Sequence, residues 1–289
     1  MNLKEYLNRA TREGWATGHF NASELDQMRA IVEACKEVNA PAIIGTSEGE
    51  AKHLGYKEAV VLRDIFRVKY GIPIFLNADH HKSVESAKAA IDAGYDSVHI
   101  DLSAMPIREN ISGTKEVVAY AGKTDSDISV EGEVGYFVTD SSSVRSEKVE
   151  VPVESLATAE LAVRFIKETG VDRLAPAVGN FHGISTSSEK IIYIDLIRQI
   201  RDATSKEVAL VLHGGSGLRE EQFVGAIKAG MANIHVNTEL RVAFVGGLKK
   251  SFSDFPDEVA MYKLDAPAIE AMKNVVKEKL KLFGSINRI

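Results

Sequence analysis

The chain has 289 residues, 45% hydrophobic and 26% charged, with a formal net charge of −6 at pH 7. That balance fits a globular protein with a large core and argues against nucleic-acid or anionic-membrane partners, which call for a basic surface. The single cysteine, Cys35, rules out an intramolecular disulfide and fits a reducing cytoplasm; the N-terminal MNLKEYLNRA lacks a secretory core, and no apolar run approaches the ~18 residues of a membrane span.

Taken in order, the residues repeat one unit eight times: a short apolar run, a polar end, an amphipathic helix. Gly18-His19-Phe20-Asn21 closes a first strand, and 23–38 reads as a helix with Leu25, Met28, Ile31, Val32 and Cys35 on one face. A second strand runs from Pro41 to about Thr46-Ser47, with a helix over 56–70. Pro73-Ile74-Phe75-Leu76 leads into Asn77-Ala78-Asp79-His80-His81, and the helical spacing of Val84, Ala87, Ala90 and Ile91 stops at Gly94. Val98 and Ile100 open a fourth strand ending on Asp101. Strands five to eight follow at 128–134, 173–179, 208–212 and 232–236, and 264–283 makes a C-terminal helix.

Eight strand-helix units, with no GxGxxG after the first strand and no Pro-, Gly- or Ser-rich linker, predict a (β/α)8 TIM barrel. It is expected to be a single domain over residues 1–289 with a C-terminal helical extension. The polar stretch 135–152, directly after strand five, is long for a connection and reads either as a mobile lid over 136–150, the reading preferred here, or as a plain surface excursion.

In such a barrel the carboxyl ends of the strands converge on one face. Three of those ends carry histidines: His80, His182 and His213. Three imidazoles from three strands suit zinc and leave an open position for substrate. Asp79 is placed either as a general acid/base at that position or as a carboxylate orienting a histidine. Asp101 and Glu133 also end strands, as a second resting place for the metal or as hydrogen-bond partners inside the barrel. Glu131 shares the parity of Glu133 and has no assignment; His19, His53, His81 and His99 read as structural or solvent-facing. The turn His213-Gly214-Gly215-Ser216-Gly217, followed by a helix from Leu218, places unobstructed amides where barrels bind phosphate, and Asn237-Thr238 completes it.

The segments LNADHHKS, IDLS, VEGEVG, GNFHG, LHGGSG and HVNTEL resemble, in order, those of the class II, metal-dependent ketose-bisphosphate aldolases, from about Phe20 to the C-terminal KEKLKLFGS. The resemblance implies that His80, His182 and His213 bind Zn2+, that Asp79 handles the aldol proton, and that Asp101 and Glu133 form a secondary metal position. It implies phosphate binding by Gly183, Gly214, Ser216, Asn237 and Thr238, substrate contacts from Asn21 and Ser47, and a monovalent cation (Na+ or K+) near the phosphate. An acidic residue of the loop, Asp140, Glu147 or Glu150, is also expected to act. Three positions depart from the pattern. His235 stands where an asparagine is usual, Asn237 is neither of the usual residues at its position, and the arginine of the DPR motif is missing. Lys263 is a candidate substitute, and Arg241 matches an arginine at the far-phosphate end.

The implied reaction is reversible cleavage of a ketose phosphate, fructose 1,6-bisphosphate first and tagatose bisphosphate as the alternative, by a cytoplasmic homodimer or homotetramer. A metal-dependent hydrolase or isomerase is the competing reading, and a non-catalytic partner of an aldolase the third. The phosphate turn counts against the former; the three histidines with Asp79 count against the latter.

Overall fold

The computed structural model describes residues 1–137 and 142–289. Helix α1 (Leu3–Glu13) precedes β1 (Thr17–Asn21), α2 (Leu25–Glu37) and β2 (Ala42–Ser47). Next come α3 (Glu48–Leu54), α4 (Tyr56–Tyr70), β3 (Ile74–His81), α5 (Val84–Ala93), β4 (Ser97–Ile100), α6 (Ile107–Thr124) and β5 (Ser129–Val134). Then follow β6 (Val144–Arg145), α7 (Ala159–Thr169), β7 (Arg173–Pro176), β8 (Ile184–Ser185), α8 (Ile194–Ala203), β9 (Ala209–Leu212), α9 (Glu220–Ala229) and β10 (Met231–Val236). The chain closes with α10 (Thr238–Asp254), α11 (Met261–Leu264) and α12 (Ala266–Leu282).

Eight parallel strands close a barrel in the order β1-β10-β9-β7-β5-β4-β3-β2, the α/β TIM barrel expected. The remaining pair, β6 and β8, forms a small parallel ribbon. Period-2 alternation sorts the strand residues. Phe20, Ile44, Leu76, Val98, Val130, Leu174, Leu210 and Ile234 pack outward against the apolar faces of the helices, where Cys35 is also buried. Inside, Ile43, Phe75 and Ala209 form a floor that α1 plugs with Leu3, Tyr6, Leu7 and Ala10. That plug is held by a capping box between Asn2 and Glu5 and ends at Gly14.

Three boundaries differ from the sequence expectation. The sixth unit is a strand only through Pro176, because its chain turns at Gly179, φ +100°. The helix after the glycine turn starts at Glu220 rather than Leu218. The C-terminal helix is broken at Asp265, so Pro267, which has no N–H to give, falls in the first turn of α12. The short α3 was not read from the sequence, although Ser47-Glu48-Gly49-Glu50 carries the signature of the capping box that forms there.

Candidate active site

The end of β3 sets the geometry. In a regular strand Asp79 and His80 would point to opposite faces. Pairing with β4 slips between Ala78 and His81, and His80 takes φ +48°, a left-handed value uncommon outside glycine. The bulge turns both side chains into the barrel mouth and sends His81 outward, where its ring meets Tyr56 at 5.9 Å. His80 Nδ1 then lies 2.9 Å from Asp101 Oδ2 and 3.8 Å from Glu133 Oε2. Its ring centroid is 4.5 Å from His213 and 4.6 Å from His182.

Of the four histidines set aside on sequence, only His53 is exposed. His99 is fully buried directly under the mouth, its ring 4.5 Å from His80. His19 is stacked on His235, centroids 3.5 Å apart and planes within 7°.

Beneath these groups the interior of the barrel is polar. Glu131, the unassigned carboxylate, accepts from His213 Nε2 at 2.6 Å and pairs with Arg173 at 2.9 Å. Arg173 also donates to Asn77, whose amide meets His19 at 3.0 Å. Nε2 of His213 is committed to Glu131, and a carboxylate behind a histidine in this way fixes the orientation of its ring.

The electrostatics call for a cation. Burial alone would lower the basicity of His80, but Asp79, Asp101 and Glu133 raise it to about 10. Burial and the neighbouring Asp101 push Glu133 well above the usual carboxylate range. Burial opposes charge on Asp79 too, yet His80, His235 and His99 hold it well below that range. Ligand atoms of Asp79, His80, His99 and His213 all lie within 4.8 Å of one another, as do those of His80, Asp101 and Glu133. Glu133 Oε2 and His99 Nε2 are 3.5 Å apart, buried and without a hydrogen bond among the described residues. Nitrogen and carboxylate donors so arranged fit a divalent ion of the zinc type. Among the described residues His182 belongs to none of these groups; its ring stands at 90° to those of both His80 and His213.

The other sequence candidates divide between two adjoining recesses. Ser47, Asp101, Glu133 and Arg241 line a cleft of about 430 Å³ beside Asp79 and His80. Gly183, Gly214, Ser216, His235, Asn237 and Thr238 line a small one with His182 and His213. Asn21 bridges them, donating to Asp79 Oδ2 at 3.0 Å and to Glu50 Oε2 at 2.9 Å. His235 Nδ1 is 3.2 Å from the other Asp79 oxygen. Gly214 is required where it stands: φ is +63°, and a Cβ would sit 2.3 Å from Phe181 O. The Gly215 amide is already bonded to His235 O at 3.0 Å.

Two residues were missed. Glu50, buried at the start of α3, binds Arg241 at 2.5 Å and also takes the Asn21 amide. Lys190, 3% exposed, donates to Gly214 O and Ser216 O. Lys263 lies outside both recesses and pairs with Glu258 at 2.6 Å.

Of the expected lid, residues 136–137 and 142–150 are described. Asp140 lies outside the described residues. Glu147 and Glu150 are exposed, Glu150 paired with Lys148 at 2.7 Å. Residues 143–149 are tied to 184–188: Ile184 N–H to Ser143 O at 2.9 Å, and Val149 N–H to Ser188 Oγ at 2.8 Å.

A closed parallel barrel whose carboxyl mouth gathers imidazoles, carboxylates and a glycine turn defines a barrel enzyme with a metal-capable site. Residues 1–288 match the family model described as fructose-bisphosphate aldolase class-II, and the chain belongs to that family, a family of lyases. It is 36% identical over 288 residues to a fructose-bisphosphate aldolase of Geobacillus stearothermophilus, covering 99% of this chain and 97% of that one. It is 35% identical over 293 residues to a fructose-bisphosphate aldolase of Staphylococcus aureus, covering 100% and 98%. The crystal structure of the YdjI aldolase from Escherichia coli K12 superposes with a TM-score of 0.81 at 28% identity, covering 99% of this chain and 97% of that one. No helix among the described residues is long and apolar enough to cross a membrane.

Proposed function

We propose that the protein catalyses reversible, zinc-dependent aldol cleavage of a ketose phosphate, with fructose 1,6-bisphosphate as the first substrate to consider. The products are dihydroxyacetone phosphate and an aldehyde such as glyceraldehyde 3-phosphate. The observation that carries this reading is the β3 bulge, which sets a carboxylate and an imidazole side by side at a mouth walled by the glycine turn. His80, His182 and His213 are the residues to hold zinc, with Asp101 and Glu133 as a second position. Zinc held there would supply Lewis acidity towards the ketose oxygens, the chemistry that cleavage of the C3–C4 bond requires.

The chain supplies the rest. Asp79, with one oxygen accepting from Asn21 and the other 3.2 Å from His235 Nδ1, takes the C4 hydroxyl proton in cleavage and returns it in condensation. The amides of Gly214 and Ser216 and the first turn of α10, at Asn237-Thr238, bind the phosphate of the dihydroxyacetone half. Gly183 leaves room on the same side, and Ser47 faces the sugar. Exposed apolar side chains along α10 and α11, including Val242, Phe252, Met261 and Tyr262, support a homodimer or homotetramer.

The far end of the substrate is less well provided. Arg241, the arginine expected there, is already paired with buried Glu50, and Lys263 with Glu258. A guanidinium bound to a carboxylate has less to give a second phosphate. The protein should therefore accept ketoses without that phosphate. A coupled triose-phosphate assay should show kcat/KM for fructose 1,6-bisphosphate exceeding that for fructose 1-phosphate by less than roughly 10³-fold, about 4 kcal/mol. A larger preference would mean that Arg241 leaves Glu50 for the substrate.

A further inference from the structure

Lys190 lies on the segment between β8 and α8, and no step above uses it. It is 3% exposed, and its ammonium is walled in behind the glycine turn. Nζ donates to Gly214 O at 2.6 Å and to Ser216 O at 2.5 Å, and it sits 4.8 Å from the centre of the Phe181 ring. Its own carbonyl accepts from Gln222 Nε2 at 2.6 Å, which fixes the backbone it hangs from. Burying an ammonium is costly unless it is paired, so its position calls for an explanation. Burial lowers its basicity to about 7, against the opposing charge of Glu239. Carbonyl acceptors on one side and a phosphate anion across the turn both favour the protonated form.

A turn has two faces. The same two peptides are tied on their amide side as well, Gly215 N–H to His235 O at 3.0 Å and Gly217 N–H to Glu239 Oε1 at 2.7 Å, so the turn is held from both faces beside the recess that holds Asn237 and Thr238. A monovalent cation beside a bound phosphate needs oxygen donors, and in this turn the carbonyl side supplies them. That side is taken. We propose that Lys190 is a built-in cation, which occupies the place of a monovalent ion behind the phosphate turn and holds that turn in shape for the substrate phosphate. Its contact with Phe181, the neighbour of His182, joins the loop after β7 to the loop after β9, so one ammonium braces both loops that carry candidate metal-binding histidines. The expected Na+ or K+ does not fit beside it.

This inference rests on the ketose-phosphate reading, and the test separates the two. Binding of dihydroxyacetone phosphate to the zinc-loaded protein is measured by calorimetry at fixed ionic strength, with Na+ or K+ replacing tetramethylammonium. The wild type should bind equally well in all three salts. Lys190→Met should weaken binding by roughly tenfold or more, the scale of lost charge-assisted hydrogen bonds, and Na+ or K+ should restore part of it. A merely structural lysine would give no such cation rescue. Wild-type binding that requires Na+ or K+, or undiminished binding by Lys190→Met, overturns the inference. The wild-type salt series decides the matter even if the variant does not fold. Wild type that binds no dihydroxyacetone phosphate in any salt overturns the functional reading itself.

Discussion

Replacing Asp79 by Asn lowers kcat for ketose cleavage by roughly 10²–10⁴-fold, while metal content and KM stay near their wild-type values. The magnitude is the usual share of a positioned general acid/base. The sparing of KM follows from shape: the amide has the size of the carboxylate and keeps a partner in Asn21 or His235. Asp79 suits the task because His80, His235 and His99 keep it ionised despite full burial, ready to accept a proton. Metal analysis and steady-state kinetics on the purified variant check this. A variant that has lost its metal would instead make Asp79 a group that orients His80.

The second large effect is on stability. Arg173 and Glu131 are both fully buried and 2.9 Å apart in the middle of the barrel. Removing one partner strands a charge where water cannot reach it, a loss of roughly 3–5 kcal/mol. Arg173→Met should therefore lower the unfolding free energy read from urea titration by that amount, and adding Glu131→Gln should recover part of it, since no charge is then left alone. A loss below about 1 kcal/mol for Arg173→Met would show that the barrel interior is wetter or more adaptable than its geometry implies. Glu131 also orients His213, so the double variant should stay impaired in metal binding even where its stability returns.

The barrel was legible because strand and helix periods alternate eight times, and the gathering of Asp79, His80, His182 and His213 at one mouth because the carboxyl ends of barrel strands converge there. The bulge at His80 was not legible. Period 2 puts Asp79 and His80 on opposite faces, and only the β3–β4 register slip brings them together. His99 looked unremarkable because a lone histidine in an apolar run is more often structural; its place under the mouth follows from the register with Glu131. Glu131 and Arg173 gain meaning only as neighbours across β5 and β7. Glu50 could have been found, since Ser47 and Glu50 have capping-box spacing. Its second partner, Arg241, lies 191 residues away and shows no signal in the chain. Lys190 was invisible for the same reason: what matters is the pair of carbonyls it reaches in another loop.

Zinc-dependent cleavage is the central claim, and one chelation series tests it most directly. Dihydroxyacetone phosphate formation from fructose 1,6-bisphosphate and fructose 1-phosphate is followed in the purified protein, after exhaustive chelation, and after stepwise return of zinc. About one tightly bound ion per chain is expected at the start. Activity should vanish on chelation and return in proportion to zinc, with saturation near one equivalent. Full turnover by the metal-free protein would contradict the claim.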